Sequence, residues 1–288
     1  MRLLYWRAVS PHSSGHEVNA AAASRFPDVQ EMRVCVVLPA YHAATTVAAT
    51  VQRLPEGACH DIILVDDAST DDTVAVARQL GIRVHSHAEN RGYGGNQKTC
   101  YRLALETDAE IIVMLHPDNQ YDGALVPYLT GFIKAGVVDI VLGSRIRRRD
   151  EVMAGGMPPI KYLANRVLTI TENIVLGLNL PEYHTGYRAY HRRVLETIDF
   201  EACSDDFVFD QQFLVQARVH EFRIGAVPVP THYGPESSSI SLGRSTKYGL
   251  ETLAALGRYC AYRAGWKSQT LFRGRQRTPG HPSIAEDD

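Results

Sequence analysis

From residue 33 to residue 142 the chain alternates short apolar runs with stretches of helix length, and this rhythm limits its possible folds more than anything else in it. Val34-Cys-Val-Val-Leu38 is continuously apolar and stops at Pro39, as a strand buried on both faces does. Ala44–Leu54 reads as a helix and Ile62–Val65 as a second buried strand. Thr73–Leu80 is then helical, Ile82–His85 extended and Gln97–Glu106 helical, with further strands at Ile111–Leu115 and Val138–Leu142. Strands alternating with helices of about ten residues build βαβ crossovers on a mostly parallel sheet. Ligands of such sheets collect outside the carboxyl ends of the strands, so chemistry is expected in the residues that follow each strand.

Beyond residue 150 three further helices are expected, over Lys161–Leu178, Phe207–His220 and Lys247–Arg263. The first carries Leu163, Val167, Ile170, Ile174, Val175 and Leu178 at the spacing of three and four that makes one apolar face. Such a face either packs on the sheet or lies, with Lys and Arg nearby, on a membrane surface. Both readings stand here for this helix and for Lys247–Arg263. Residues 1–31 read as a poorly structured extension and 266–288 as a polar tail, which leaves one domain over 32–265.

Composition narrows the class. With 45% hydrophobic and 22% charged residues, the 288-residue chain is globular and long enough to bury a sizeable core. Thirty Lys and Arg against 32 Asp and Glu leave a charge of −2, so no nucleic-acid partner is expected. The five cysteines, Cys35, Cys59, Cys100, Cys203 and Cys260, are scattered and never form a CxxC pair. That pattern fits reduced thiols of an intracellular protein. No apolar run approaches the roughly 20 residues of a membrane span, and the N-terminus lacks the apolar core of a signal peptide. The expectation is a cytoplasmic protein, soluble or peripheral at the inner face of the membrane.

Three strand ends carry the chemistry. Val65 runs into Asp66-Asp67-Ala-Ser-Thr-Asp-Asp-Thr73. Adjacent carboxylates there can accept hydrogen bonds from a ribose or base, because carboxylates are pure acceptors, while Ser69–Asp72 suits the cap of the next helix. Asn90-Arg91-Gly92-Tyr-Gly-Gly95-Asn96 opens a helix with glycines, which lets backbone amides approach a nucleotide. Its spacing is neither a Walker loop nor GxGxxG. After the strand ending at Leu115 comes His116-Pro-Asp118-Asn-Gln120-Tyr-Asp122. His116 and Asp118 point the same way from an extended segment. A carboxylate with an imidazole suits Mn²⁺, and a carboxylate with waters suits Mg²⁺. Such an ion would neutralise a diphosphate leaving group. Asp122 suits a helix cap.

Taken in order, the strand with Pro-Ala-Tyr, VDDASTDDT, NRGYGGN and HPDNQYD resembles the family 2 glycosyltransferases of the GT-A fold. Within them the chain is most similar to the polyprenyl-phosphate (dolichyl-phosphate) sugar synthase branch. Later landmarks agree: Leu142-Gly-Ser-Arg145, Leu180-Pro-Glu-Tyr-His-Thr-Gly-Tyr-Arg188, Asp205-Asp-Phe-Val-Phe-Asp210 and Val227-Pro-Val-Pro-Thr-His-Tyr233. The resemblance covers roughly residues 33 to 250. It implies an α/β fold with a single nucleotide-diphospho-sugar transferase domain, its mostly parallel central sheet flanked by helices.

The resemblance also implies roles. Pro39, Ala40, Tyr41 and Asp67, with Asp66 beside them, would hold the nucleoside of a UDP- or GDP-sugar, and Asn90, Arg91 and Gly92 would pack near the base. The family's DxD motif falls on His116-Pro117-Asp118, with His in place of the first Asp. Asp118 would then carry most of the binding of Mg²⁺ or Mn²⁺, with Gln120 beside it and His116 and His232 as further ligand candidates. Arg145 and Arg188 carry guanidinium forks suited to phosphate oxygens; Arg147, Arg148 and Arg149 follow the first. His184 would line the site near sugar and phosphate. Asp206 and Asp210 are the candidates for a base that deprotonates an acceptor hydroxyl, or for groups that orient the sugar. A phosphate acceptor is already an anion and needs no base.

The implied activity is inverting, metal-dependent hexosyl transfer from a nucleotide sugar to a polyprenyl phosphate, as in cell-envelope biosynthesis. A hydroxyl acceptor on a glycan or small molecule is the alternative. A nucleotidyltransferase would carry a glycine-rich signature straight after the first strand, where this chain has Pro39-Ala-Tyr-His42. A non-catalytic nucleotide-sugar-binding scaffold would account for His116 and for Gln211-Gln212, but not for Asp118, Arg145 and Arg188.

Overall fold

Residues 31–146, 158–231, 242–266 and 270–272 are described by the computed structural model. Its strands are β1 (Val34–Ala40), β2 (Asp61–Asp66), β3 (Arg83–Ser86), β4 (Ile111–Met114), β5 (Ile140–Ser144), β6 (Arg188–His191) and β7 (Ile224–Pro228). They form one seven-stranded sheet in the order β3-β2-β1-β4-β6-β5-β7. Only β6 is antiparallel to its neighbours, β4 and β5; the other pairs are parallel. From β1 the chain builds outward to β2 and β3, then returns to place β4 on the other side. That reversal makes a crevice at the carboxyl ends of β1 and β4, where such sheets bind ligands.

The helices are α1 (Val47–Gln52), α2 (Thr73–Gln79), α3 (Gly92–Leu105), α4 (Val126–Lys134), α5 (Pro159–Leu176), α6 (Arg192–Thr197), α7 (Phe209–Val219) and α8 (Leu242–Arg263). Strand side chains alternate between two cores. Cys35, Val37, Ile63, Val65, Ile112 and Met114 pack with Cys100, Tyr101 and Ala104 of α3, with Phe209 and Phe213 of α7, and with Ala255, Leu256 and Tyr259 of α8. Val34, Val36, Leu38, Leu64, Ile111 and Val113 pack on the other face with Val47, Ala77, Val126 and Leu129. Pro39 sits inside β1 without loss of a ladder bond. Its ring nitrogen points toward the β4 side, where pairing stops at Val37 and Met114, and Leu115 N donates to Val37 O.

Three features depart from the sequence expectations. β6, β7, α4 and α6 had no counterpart among the expected elements. α3 begins at Gly92 rather than Gln97, so the glycine-rich segment is the first turn of the helix. The apolar face expected along α5 is split: Val175 and Leu178 pack against the core, but Leu163, Val167, Ile170 and Ile174 are exposed, while Asn165, Thr169 and Glu172 face inward with Leu176. The inner positions of α5 are committed to polar partners in the 180–184 segment, and this turns the stripe outward.

Candidate active site

Because β6 runs against its neighbours, its first residue lies level with their carboxyl ends: Arg188 faces Met114 of β4 and Leu142 of β5. The HTGYR segment thereby reaches the crevice. Arg188 is fully buried. Its Nε donates to Thr185 O at 2.6 Å, Nη2 to Tyr183 O at 3.0 Å and Nη1 to Asp210 O at 3.2 Å. The Asp210 carboxylate lies 3.4 Å from Nη2. Burial by itself would disfavour the charge; Asp210, together with the Tyr190, Tyr93 and Tyr101 oxygens around it, outweighs burial and holds the guanidinium pKa above its ordinary value.

Asp210 stands in the first turn of α7, where the helix dipole favours an anion. Tyr93 Oη donates to its Oδ2 at 2.8 Å and Gln97 Nε2 to its Oδ1 at 3.3 Å. The Tyr93 ring in turn stacks on His116 with centroids 5.4 Å apart and planes 4° from parallel. On the other side of His116 is Gly186: a Cβ there would come within 2.5 Å of His116 Cδ2. The imidazole thus occupies the space that any side chain at 186 would need. Burial lowers the His116 pKa and favours a neutral ring. The loop after β4 and the HTGYR segment are further joined by Tyr121 Oη, which accepts from Thr185 Oγ1 and Gly186 N, each at 3.3 Å.

Asp118 is half-buried in the loop after β4. Its Oδ1 accepts from Gln120 N at 3.1 Å across a turn whose corner, Asn119, takes φ 57°, a conformation that Asn tolerates. Asp122 is a cap: its Oδ1 accepts from Ala124 N at 3.0 Å, and Arg53 clamps both oxygens. Among the described residues no three His, Cys, Asp or Glu side chains converge as a metal shell. A half-buried carboxylate beside a neutral imidazole does fit a divalent ion that draws its other ligands from substrate phosphates and water, the usual mode of Mg²⁺.

At the end of β2, Asp67 is buried and engaged on both oxygens. Oδ1 accepts from Arg91 N and lies beside His87 Nδ1, both at 2.8 Å, and Oδ2 accepts from Gly92 N at 3.0 Å. Asn90 Nδ2 donates to Asp67 O at 3.2 Å. Asp67 therefore caps the start of α3. The next amides are also spent, on a carbonyl: Gly94 N and Gly95 N point at Asp205 O, at 2.7 and 3.3 Å. A Cβ on Gly94 would lie 2.3 Å from Ser204 O, so the glycines let α3 touch the backbone of the 204–205 loop. Asp66 keeps one oxygen on Ser69 N at 3.1 Å, while its buried Oδ1 has no partner. Pro39 and Ala40 lie within β1. Tyr41 is exposed and stacks on His42 at 4.1 Å.

Arg145, just past β5, turns onto the fully buried Glu182. Its N donates to Oε2 at 2.7 Å and its Nε to Oε1 at 2.9 Å, while Nη2 also reaches His184 O. His184 points toward the helices: Nδ1 is 2.7 Å from Tyr248 Oη of α8, and Nε2 is 3.2 Å from the buried Glu172 of α5 but out of line for a hydrogen bond. Asp206 pairs with Lys247 of α8 at 2.6 Å, and this contact holds its carboxyl below the ordinary range. His232 and Arg147–Arg149 lie outside the described residues. Sequence reasoning missed Tyr93, Gln97, Glu182 and Gly186 as parts of the site. All four lie in or beside the motifs quoted above, but only their contacts give them a role.

The fold and this strand-end constellation define the class, an α/β transferase domain with its site at the switch point of the sheet. The chain matches the family model described as glycosyl transferase family 2 over residues 35–199, and it belongs to that family. It is similar to the undecaprenyl-phosphate mannosyltransferase of Micrococcus luteus, 29% identical over 180 residues that make up 59% of this chain and 71% of that one. It is also similar to the UDP-N-acetylglucosamine–dolichyl-phosphate N-acetylglucosaminyltransferase of Methanococcus voltae, 24% identical over 74% of this chain and 89% of that one. Among solved structures, glucosyl-3-phosphoglycerate synthase from Mycobacterium tuberculosis superimposes with TM-score 0.63 at 21% identity, over 87% of this chain and 86% of that one. A complex of that synthase with Mn²⁺, UDP-glucose and phosphoglyceric acid gives 0.61 at 21%, over the same 87% and 86%. The likeness to the synthase establishes the GT-A fold.

Proposed function

We propose that this glycosyltransferase moves a hexose from a UDP- or GDP-linked donor to a polyprenyl phosphate, with inversion at the anomeric carbon and with a divalent ion. The observation that carries the acceptor reading is the state of the two candidate bases. Asp206 is paired with Lys247 and Asp210 with Arg188. The Lys247 contact makes Asp206 a weakened proton acceptor, and both Asp210 oxygens are already engaged by Tyr93, Gln97 and Arg188. A hydroxyl nucleophile needs its proton taken, whereas a phosphate oxygen attacks as an anion. The names of the relatives from Micrococcus luteus and Methanococcus voltae, both acting on polyprenyl-type phosphates, support the same class.

In this reading a phosphate oxygen of the acceptor forms the new bond to the anomeric carbon from the face opposite the departing nucleoside diphosphate. Asp118, with His116 and Gln120 beside it and with His232, would hold Mg²⁺ or Mn²⁺, which when bound stabilises the charge on the leaving diphosphate. Arg145, locked on Glu182, and Arg188, locked on Asp210, would hold the strand-end segments in place around the diphosphate. Tyr41, Asp66 and the turn Asn90-Arg91-Gly92 pinned by Asp67 border the nucleoside, and His184 braces the sugar side. Asp210 orients the constellation through Tyr93 and Arg188 rather than taking a proton. Such an acceptor sits at a membrane, and the enzyme would work at its cytoplasmic face.

The test is nucleotide release from UDP- and GDP-sugars with Mn²⁺ or Mg²⁺, with and without undecaprenyl phosphate. Release should need metal and rise with the lipid phosphate, and Asp206→Asn should stay within about tenfold of the parent. A general base contributes about 10²–10⁴-fold. A loss of that size in Asp206→Asn, or release that ignores the lipid and responds to a sugar hydroxyl, would overturn the phosphate-acceptor reading.

A further inference from the structure

We propose that the outward face of α5, continued by Leu250 and Leu253 of α8, is the surface by which the protein seats on an anionic lipid bilayer. The biological reason for such a seat rests on the polyprenyl-phosphate reading, but the surface is argued from its own residues. α5 has 18 residues and is therefore about 27 Å long. From Ile160 onward its exposed positions are Ile160, Leu163, Ala164, Val167, Ile170 and Ile174, all of them apolar. Ile160 is 63% exposed and Ile174 76%. The spacing of three and four keeps them on one line along the helix.

This face is not a packing accident that a small rotation would repair, because the inward face is tied to the 180–184 segment through Asn165 and Asn173. Asn165 Nδ2 donates to the buried Glu182 at 3.0 Å. Asn173 closes the 180–183 turn, accepting from Leu180 N and Tyr183 Oη and donating to Leu180 O, each at 2.8 Å. Glu172 lies against His184. Turning α5 to bury its isoleucines would break every one of these contacts and expose the segment that carries Arg188 into the site. Leu168 of α5 packs over Gly249 of α8, and Leu250 and Leu253 emerge beside that contact, exposed. The apolar surface therefore spans two helices, larger than scattered exposed residues require.

Charge selects the occupant. With Lys247 taken up by Asp206 and Glu251, α5 and α8 still carry Lys161, Arg166, Arg244, Arg258 and Arg263, and their one other acid, Glu172, is buried. A second copy docked on the same face by twofold symmetry would bring these cations together across the contact. An anionic lipid surface answers them and accepts the aliphatic side chains between. Trp266, directly after α8, is 72% exposed, the placement of a ring that anchors at a membrane interface.

Flotation of the full chain with phosphatidylcholine vesicles, with and without phosphatidylglycerol, tests the proposal. The protein should float with the anionic vesicles and stay behind with the neutral ones. The variant Leu163→Ser/Val167→Ser/Ile170→Ser/Ile174→Ser should partition about tenfold less or worse, with circular dichroism and melting temperature unchanged. Trp266 fluorescence, read in a Trp6→Phe background, should shift to the blue on anionic vesicles in the parent alone. Should the quadruple variant fail to fold, Ile170→Asp alone and the wild-type contrast between the two vesicle types decide the matter. Protein that never floats, a variant that floats as well as the parent, or a dimer in sedimentation that the variant abolishes would overturn it. Transfer to a short, water-soluble prenyl phosphate without vesicles separates the two readings. Transfer without flotation sinks only the surface, and flotation without transfer to any phosphate sinks only the acceptor class.

Discussion

α3 and α5 both break the usual rule of apolar inside and polar outside, and they break it in opposite ways. α3 has no apolar stripe, yet Asn96, Gln97, Lys98 and Thr99 are all buried. α5 has a regular apolar stripe and holds it in solvent. The difference lies in what each helix touches. α3 lies between the sheet and the 200–210 segment, and its polar groups find partners there. Lys98 Nζ donates to Glu201 O, Cys203 O and Asp205 at 3.1, 2.6 and 2.7 Å. α5 touches mainly α8 and the polar 180–184 turn, so among the described residues nothing covers its apolar side. Burial is decided by neighbours, and periodicity says only that a helix has two unlike sides.

The largest expected effect is at Gly94. Its missing Cβ would sit against three unyielding atoms, Ser204 O, the Asp205 carbonyl carbon and the Phe209 Cβ. Gly94→Ala should therefore destabilise the fold by about 3 kcal/mol or more, although Ala is the better helix former. Chemical denaturation measures this, and a neutral result would mean that the close approach of α3 to the 204–205 loop is not needed. Lys98→Met comes next. It keeps the bulk but strands two carbonyl acceptors, at a cost of about 2 kcal/mol; the Asp205 contact adds little because that carboxylate is largely exposed. A loss below about 0.5 kcal/mol would make the polar burial of α3 incidental.

On α5 the contrast can be read within one helix. Leu176, in the core, should cost about 2–4 kcal/mol as Leu176→Ala. Ile170→Ser, on the outward stripe, should change stability by no more than about 0.5 kcal/mol. Equal losses at the two positions would show that the stripe is covered in the native protein, and thermal unfolding of both variants decides it.

The same division explains what could be read in advance. The runs that became β1, β2, β4 and β5 were plain because strands buried on both faces are apolar throughout. β6 was hidden because its buried side chains include Arg188, whose charge is answered only by Asp210, 22 residues later. β7 is only half-buried, and its short run Ile224-Gly-Ala-Val227 is broken by Gly225 and closed by Pro228, while α4 contains Pro127 and Gly131, which read as breakers. The site followed suit. His116, Asp118, Arg188 and Asp210 were picked out by motif, and the structure brings His116, Arg188 and Asp210 together through Tyr93. Asp67 instead reaches back to cap α3, and His184 faces Glu172 and Tyr248.

By itself the sequence determined the strands of the parallel half, the order of the motifs and the ends of the strands at which they fall, because apolar runs and βαβ spacing are local and each sets its own environment. Only the tertiary structure decided which acceptor each buried donor meets, that β6 runs backward to deliver Arg188, and that the most regular apolar helix face points away from the core. Those outcomes turn on contacts between residues far apart in the chain. A polar group is paid for by whichever partner the packing brings to it, and no local pattern carries that information.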